Sequence, residues 1–510
     1  MNTQSTNPVA VIGAGAMGRG IVQLFAQSGN TVKFYDTSAA AVTAAQTFVT
    51  EMFNNKVAKG RMSQGEAEQA IRNLIPCSSL ADIADCDLVI EAILENLKVK
   101  RALFEELESV VSPSAVLASN TSSLLIADIA AECQHPERVA GLHFFNPVPV
   151  MRVVEIVSSV RTARSTVEQL RARVASTGHR AVLAQDQPGF LINHAGRGLY
   201  TEGLRILEEQ AAGHEQVDEL MREAAGFRMG PFELFDLTGL DVSSKVMESI
   251  YEQFQQEPRF RPSSIVPPRV AAGLFGRKTG AGWYRYEDGK KTLPAGKNAP
   301  RVHHAVSEHC RVWVQPDAEH HNELCTRVLR AGARVEESAD LANLLFIQPW
   351  GIDASQACAD HGLDARHCVA IDPLPDFDKH RTLMLTPVTL DAARMDALAI
   401  LSDETTPATV INDSPGFVVQ RMLATIVNIG TNIAQRGIAS VDDIDDAVRL
   451  GLGYPEGPLA LGDRIGASKV MHILEGLQRV TGDPRYRPNH WLRRRAQLGL
   501  PLVTAEAART

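Results

Sequence analysis

Several things are missing from this chain, and each absence removes a class of function. None of its seven cysteines (Cys77, Cys86, Cys133, Cys310, Cys325, Cys358, Cys368) forms a C-x-x-C pair. Dithiol redox and zinc-ribbon motifs are therefore absent, and the thiols are expected to be reduced and mostly buried. No apolar run approaches the roughly 18 residues that cross a bilayer, and the opening MNTQSTNP has neither a basic nor an apolar leader segment. A cytoplasmic protein with no membrane partner is expected. Positive charge is also not in excess: the formal charge is −9 and the pI is near 6.0. That balance argues against a nucleic-acid partner and leaves a small molecule, although a local basic patch could still hold an anionic substrate.

What remains is an ordinary globular composition, 45% hydrophobic and 22% charged over 510 residues, enough for about three domains of roughly 150 residues each. The first motif lies at the start. PVAVIG (8–13) reads as a buried strand, and GAGAMGRGIVQLFAQSG continues with helical spacing at Ile21, Leu24 and Phe25. Gly13, Gly15 and Gly18 form G-x-G-x-x-G, with Ala16 and Met17 inside the turn. The first glycine permits the tight turn, the second lets a pyrophosphate approach the backbone, and the third lets helix pack on strand. The phosphates would sit on unpaired N–H groups at the helix N-terminus. TVKFYD ends in Asp36, 23 positions after Gly13 (36 − 13). A carboxylate there accepts both ribose hydroxyls and repels a 2′-phosphate, which selects NAD over NADP. FAD shares the fingerprint, so the glycines alone do not fix the cofactor.

Further strand-like runs, DLVIEAI (87–93), AVLASN (115–120) and RVAGLHFF (138–145), alternate with helical stretches such as 97–110. This alternation predicts an α/β, Rossmann-type, mostly parallel sheet with ligands beyond the carboxyl ends of its strands. Glu91, Asn120 and His143 fall at such ends. Glu155 interrupts the apolar run 153–157, where an unpaired carboxylate would cost several kcal/mol. His143 suits a general base and Glu155 could fix its tautomer, but a structural histidine and an unrelated glutamate fit the spacing equally.

VIGAGAMGRGI, EAILENLKVK, SNTSSL, GLHFFNPVPVMRVVEI, DQPGFLIN and GPFELFDLTGLD, in this order over residues 8–283, resemble the NAD-dependent 3-hydroxyacyl-CoA dehydrogenase family. The resemblance implies His143 as general base, Glu155 as its orienting partner, and Ser122 and Asn193 as the residues that position the substrate oxygen and the base. It further implies that Ser122, Glu95, Lys100, Asn146 and Lys278 touch NAD. Each has a plainer reading: Ser122 as a helix N-cap, Asn193 as a capping or solvent-facing amide, Glu95 and Lys100 as a solvated helix face, and Lys278 as a loop lysine. The multiply charged CoA calls for nearby cations, for which Lys56, Lys59 and Arg61 are candidates.

The chain also repeats part of itself. Asp186-Gln-Pro-Gly-Phe190 recurs as Asp413-Ser-Pro-Gly-Phe417, Gly230-Pro231 as Gly457-Pro458, and Asp236 as Asp463, each 227 residues on (413 − 186). PRFRP at 258–262 recurs as PRYRP at 484–488. In the second copy Gln420 replaces Asn193, GRKTG has no counterpart, and no glycine fingerprint or HFFNP precedes it. The expected organisation is an NAD-binding domain over 1–185, a helical substrate and dimerisation domain over 186–284, a linker or worn α/β domain over 285–410, and a non-catalytic helical repeat over 411–510. His303, His304, His309, Cys310, His320 and His321 match no zinc spacing, and no metal is expected. Arg493–Arg495 reads as a solvated face or an anion contact.

The expected reaction is oxidation of a (3S)-3-hydroxyacyl-CoA to the 3-oxoacyl-CoA in a homodimer. The length and second module resemble long bacterial members of the family that act on 3-hydroxyadipyl-CoA in phenylacetate catabolism. A 3-hydroxybutyryl-CoA substrate, or a non-enzymatic crystallin-like NAD-binding relative, is the alternative.

Overall fold

The computed structural model describes residues 8–292, 305–403 and 405–507. It separates into two compact units. One runs up to His194 and includes Arg436–Leu452; the other comprises Ala195–Gln435 and the chain from Gly453 onward.

The first unit is built on an eight-stranded sheet: β1 (Val9–Ile12), β2 (Val32–Tyr35), β3 (Leu74–Pro76), β4 (Leu88–Glu91), β5 (Val116–Ser119), β6 (Val139–Phe144), β7 (Val153–Ser158) and β8 (Arg180–Gln185), in the order β3-β2-β1-β4-β5-β6-β7-β8. Strands β1, β4, β5 and β6 are buried along their whole length, as continuous apolar runs between two helical layers should be. Pairing is parallel except between β6 and β7, so β7 and β8 run against the rest. The returning segment Arg436–Leu452 covers β8. The Gln185 N–H donates to the Ile438 carbonyl (2.8 Å), and Arg180 pairs with Asp443 (2.8 Å) and Asp446 (2.9 Å) on the helix Val441–Ala447. An otherwise open sheet edge is thereby occupied.

In the second unit the sequence repeat is a repeat of structure. The helices Arg197–Glu208 and Val419–Gln435 pack so closely that a Cβ on Gly198 would lie 2.9 Å from the Ile426 Cα. Gly203 sits against Pro231 and Gly430 against Pro458, again 227 residues apart (430 − 203 and 458 − 231). Asp236 accepts the N–H groups of Trp283 (2.9 Å) and Tyr284 (2.8 Å), while Asp463 accepts those of Leu502 and Val503. The carboxyl tail thus returns to its module as the segment after GRKTG does to the first. Between the copies lies a buried ion pair of Glu202 with Arg421, to which the Tyr486 hydroxyl donates (2.7 Å).

Residues 285–292 form a hairpin, β9 (Arg285–Glu287) with β10 (Lys290–Thr292). The stretch expected to be a linker or worn α/β domain builds a six-stranded sheet: β11 (Arg311–Val314), β12 (Arg334–Glu336), β13 (Leu344–Ile347), β14 (Cys368–Ile371), β15 (Arg381–Leu385) and β16 (Ala408–Ile411), ordered β12-β11-β13-β14-β15-β16. It is parallel except for β14–β15, the counterpart of β6–β7. Its apolar core includes Val312, Leu324, Phe346, Ile371 and Leu383.

All seven cysteines are free and six are buried. Of the histidine cluster, His303 and His304 lie outside the described residues, His320 stacks on Phe377 (5.0 Å) and His321 donates to the Gln315 carbonyl (2.9 Å). No group of three metal-ligating side chains occurs among the described residues. The arginine run is not one solvated face: Arg495 is buried on Trp491 and donates to the Thr504 carbonyl, Arg493 pairs with Glu475 (3.0 Å), and only Arg494 of the three is exposed. No helix of the described residues is long and apolar enough to cross a membrane.

Candidate active site

The site is assembled at the carboxyl edge of the parallel strands. At the end of β1, Gly13 adopts φ +103°, and a Cβ there would lie 2.5 Å from the Ala92 carbonyl oxygen. A Cβ on Gly18 would collide with the Gly13 carbonyl, so helix and strand meet at backbone contact. Gly15, in contrast, faces open space and is exposed together with Ala16, with Met17 half-buried behind them. No acidic side chain stands in the first turn of the helix Ala16–Gln27. Asp36, just past β2, accepts the N–H groups of Ala14 and Ser38 (both 2.9 Å) and keeps a further lone pair on each oxygen. An open glycine turn, a bare helix N-terminus and a carboxylate beside them fit a dinucleotide.

His143 and Glu155 are directly opposed across β6 and β7, so both side chains leave the same face. His143 Nδ1 lies 2.5 Å from Glu155 Oε2, and both side chains are buried. The other carboxylate oxygen accepts from the backbone of Leu191 (3.0 Å) and Ile192 (2.7 Å), where a short helix, Ile192–Ala195, begins. Each Glu155 oxygen is therefore satisfied despite complete burial. A carboxylate only accepts, so Nδ1 carries the proton and Nε2 is left as the acceptor. Ser122 Oγ stands 2.9 Å from that nitrogen. The rings of Phe145 and Phe190 lie 4.4 and 5.8 Å from the imidazole and make its walls apolar.

Ser122 does not cap a helix. The following helix, Ile126–Ile129, has Leu125 at its N-cap, and Asp186 accepts its first N–H groups from Ile126 (2.9 Å) and Ala127 (2.8 Å). What fixes the Ser122 loop is Glu95. It accepts from Thr121 Oγ1 (2.5 Å), the Ser122 and Ser123 N–H groups (3.1 and 3.2 Å) and Ser123 Oγ (2.9 Å). Burial by itself would raise the Glu95 carboxyl, but Lys100 and the donating hydroxyls outweigh it and hold it below its ordinary value. Lys100 is not a solvated helix residue: its side chain is 1% exposed and its ammonium bridges Glu91 (2.6 Å) and Glu95 (3.2 Å). Glu91 also accepts from Ser119 Oγ (2.6 Å), and Asn120 Oδ1 accepts the Phe144 N–H (2.8 Å), which ties the ends of β4, β5 and β6 together.

The remaining residues are more dispersed. Asn193 is half-buried on the Ile192–Ala195 helix, immediately after the two N–H groups that hold Glu155. Asn146 is exposed just beyond β6. Lys56 reaches Gln27, the last residue of the first helix, roughly 18 Å along that helix from the glycine turn, and Lys59 and Arg61 are exposed nearby. Such a position suits only the distal part of a long ligand. Lys278 belongs to the second unit, on the turn Arg277–Thr279, and pairs with Asp241 (2.5 Å). Three contributors escaped the sequence reading, Phe145, Phe190 and Thr121. Phe190, at φ +49° after Gly189 at φ +71°, could have been found in the repeated PGF turn, which Gly416 and Phe417 adopt in the same way. Thr121 had no signal beyond its place beside Ser122.

Residues 8–187 match the model of the 3-hydroxyacyl-CoA dehydrogenase NAD binding domain, and the C-terminal domain of the same family matches twice, over 189–286 and 416–505. An Escherichia coli protein named 3-hydroxyadipyl-CoA dehydrogenase is 39% identical over 490 residues, 96% of this chain and 97% of the relative. The mitochondrial hydroxyacyl-coenzyme A dehydrogenase of Sus scrofa is 37% identical over 286 residues, 55% of this chain and 91% of its own length. A crystal structure described as 3-hydroxybutyryl-CoA dehydrogenase from E. coli K12 superposes with a TM-score of 0.85 at 38% identity, covering 98% of this chain and 99% of that one.

Proposed function

The chain belongs to the 3-hydroxyacyl-CoA dehydrogenase family, and on that premise we propose that it oxidises (3S)-3-hydroxyadipyl-CoA to 3-oxoadipyl-CoA with NAD⁺, as in phenylacetate catabolism. The observation that carries the chemistry is the continuous chain Ser122 Oγ, His143 Nε2, His143 Nδ1, Glu155. Nε2 accepts the proton of the substrate hydroxyl, and Glu155 stabilises the imidazolium that results. Ser122, and Asn193 on the helix that holds Glu155, direct the substrate oxygen toward the imidazole. When bound, NAD⁺ supplies the hydride acceptor. Gly13, Gly15, Ala16, Met17, Gly18 and Asp36 would hold its adenosine and phosphates, with Glu95, Ser122 and Asn146 toward its other end; Lys100, buried between Glu91 and Glu95, acts through Glu95, and Lys278 is a contact that the family resemblance alone implies. The apolar walls at Phe145 and Phe190 exclude water from the base.

The dicarboxylic substrate rests on likeness to the E. coli 3-hydroxyadipyl-CoA dehydrogenase along nearly the whole of both chains, whereas the mitochondrial relative lacks the second half. The second reading, 3-hydroxybutyryl-CoA, is favoured by the name of the structural relative. The deciding experiment is NAD⁺ reduction with (S)-3-hydroxyadipyl-CoA and (S)-3-hydroxybutyryl-CoA side by side. A kcat/KM at least tenfold higher for the adipyl substrate is expected; equal or reversed values overturn the substrate and leave the chemistry, and no turnover of either overturns both. A cytoplasmic homodimer, Lys56 and Lys59 as contacts for the distal part of CoA, and the four-domain division at 185, 284 and 410 complete the proposal. Light scattering tests the dimer, and the salt dependence of KM in Lys56→Ala and Lys59→Ala tests the CoA contacts.

A further inference from the structure

The second sheet winds in two directions, as the first does. From β11 the chain passes through the helix His321–Arg330 to β12 on one side; from β13 it passes through the helix Ala354–His361 to β14 on the other. The winding therefore reverses between the neighbours β11 and β13. In doubly wound sheets a ligand crevice opens beyond the carboxyl ends of such a strand pair. A cavity of about 390 Å³ lies there, lined by Gln315 directly after β11, by Gln348 and Trp350 directly after β13, and by His361, His472 and Arg479.

Its walls are rigidly built. Gln420, at the place of Asn193, accepts the Gly351 N–H (2.9 Å) and donates to Asp372 (2.9 Å) and to the Pro349 carbonyl (3.3 Å). Gly351, at φ +72°, meets the helix Ala467–Thr481 backbone to backbone, since a Cβ on Gly476 would lie 2.8 Å from the Gly351 carbonyl oxygen. Gln348 is 4% exposed, and its Nε2 has no hydrogen-bond partner while its Oε1 accepts from the His320 N–H (2.7 Å). The two carboxylates in the lining are engaged, Asp317 by Gln315 (2.9 Å) and Glu475 by Arg493 (3.0 Å). Arg479 puts a positive charge on one side of the rim beside His361 and His472, with Asp360 3.6 Å from Arg479.

No diphosphate cradle remains. Gln-Pro-Asp-Ala-Glu-His replaces the glycine turn, and Asp413 blocks the N-terminus of the helix Ala354–His361 by accepting from Ala354 (2.8 Å) and Ser355 (3.1 Å). The volume stands at the low end of the roughly 300–1,000 Å³ of small-molecule sites. We propose that this cavity is a second ligand site for a purine mononucleotide. The base lies against Trp350 beside Gln348, and the single phosphate faces His361, His472 and Arg479. The probe is AMP, titrated calorimetrically into the full-length protein saturated with NAD⁺. One residual binding event is expected, weakened at least tenfold in Trp350→Ala and in Arg479→Ala, while NADH production by both variants stays at the wild-type rate. Absence of residual binding, which includes displacement of AMP by NAD⁺, or binding of equal strength in both variants, overturns the proposal.

Discussion

Two antiparallel strand pairs occupy the same place in the two sheets, and only one of them carries a histidine–glutamate pair. Glu155 pairs with Val182 and Thr382 with Thr409, both related by 227 residues (382 − 155 and 409 − 182). Across the pair, His143 stands opposite Glu155, whereas Asp372 donates its N–H to the Thr382 carbonyl (3.0 Å). The backbone plan survives in both because the groups that fix it survive: Asp186 and Asp413 on helix N-termini, the PGF turns, and the glycine–proline contacts at 203/231 and 430/458. Two side chains separate a histidine with its glutamate from a buried acid held by a glutamine. A fold can thus be kept by its caps and close contacts while the side chains at the corresponding strand pair, and the glycine turn beside it, are replaced.

The largest expected break in this comparison is His143→Ala, which should lower kcat by about 10²–10⁴. Asp372→Asn in the other sheet should leave kcat within about twofold, so that steady-state rates of the two variants distinguish the halves. Next comes Arg421→Ala, which takes the nearest cation from the buried Glu202 carboxylate, leaving Arg485 at 3.6 Å and the Tyr486 hydroxyl, and should cost about 3 kcal/mol in urea unfolding. Glu95→Gln loosens the Ser122 loop; a fall in kcat of about 10–100-fold is expected, with thermal stability little changed. A loss confined to KM for NAD⁺ would instead make Glu95 a cofactor contact alone.

A smaller effect follows from pH. Burial pushes the Asp372 carboxyl up to about 7, against the weaker opposing pull of Gln420. Between about pH 4 and pH 7 the folded state therefore holds a proton that the unfolded state has released. The contribution of Asp372 to stability should be full below pH 4 and fall as pH rises toward 7, by up to about 1.4 kcal/mol per unit. Asp372→Asn should flatten that slope in urea unfolding at pH 5 and 7, though not abolish it, because burial also raises Asp218 to about 7. The smallest change is expected for Arg180→Ala, whose pairs with Asp443 and Asp446 are over one-third exposed on the arginine side and worth about 1 kcal/mol or less.

The glycine turn and Asp36 were legible in the sequence because the chemistry there is local: a tight turn, a bare helix end and an acidic residue one strand later. The 227-residue repeat was legible because glycine, proline and capping aspartate recur in register. The alternation of apolar runs and helical stretches sufficed for a parallel sheet, since a strand buried on both faces must be apolar throughout. Only the tertiary structure decided that His143 and Glu155 face each other, because strand register depends on long-range pairing that spacing leaves open. The same holds for Lys100, whose charge pattern reads as a solvated face until Glu91 and Glu95 are brought onto it, and for Ser122, held by Glu95 from 27 residues away. It holds again for the sheet at 311–411, whose short strands carry no glycine signature and gain their meaning from their order in space. Local steric and capping rules act within a few residues and can be read in one dimension; burial and pairing between distant segments exist only once the chain has folded.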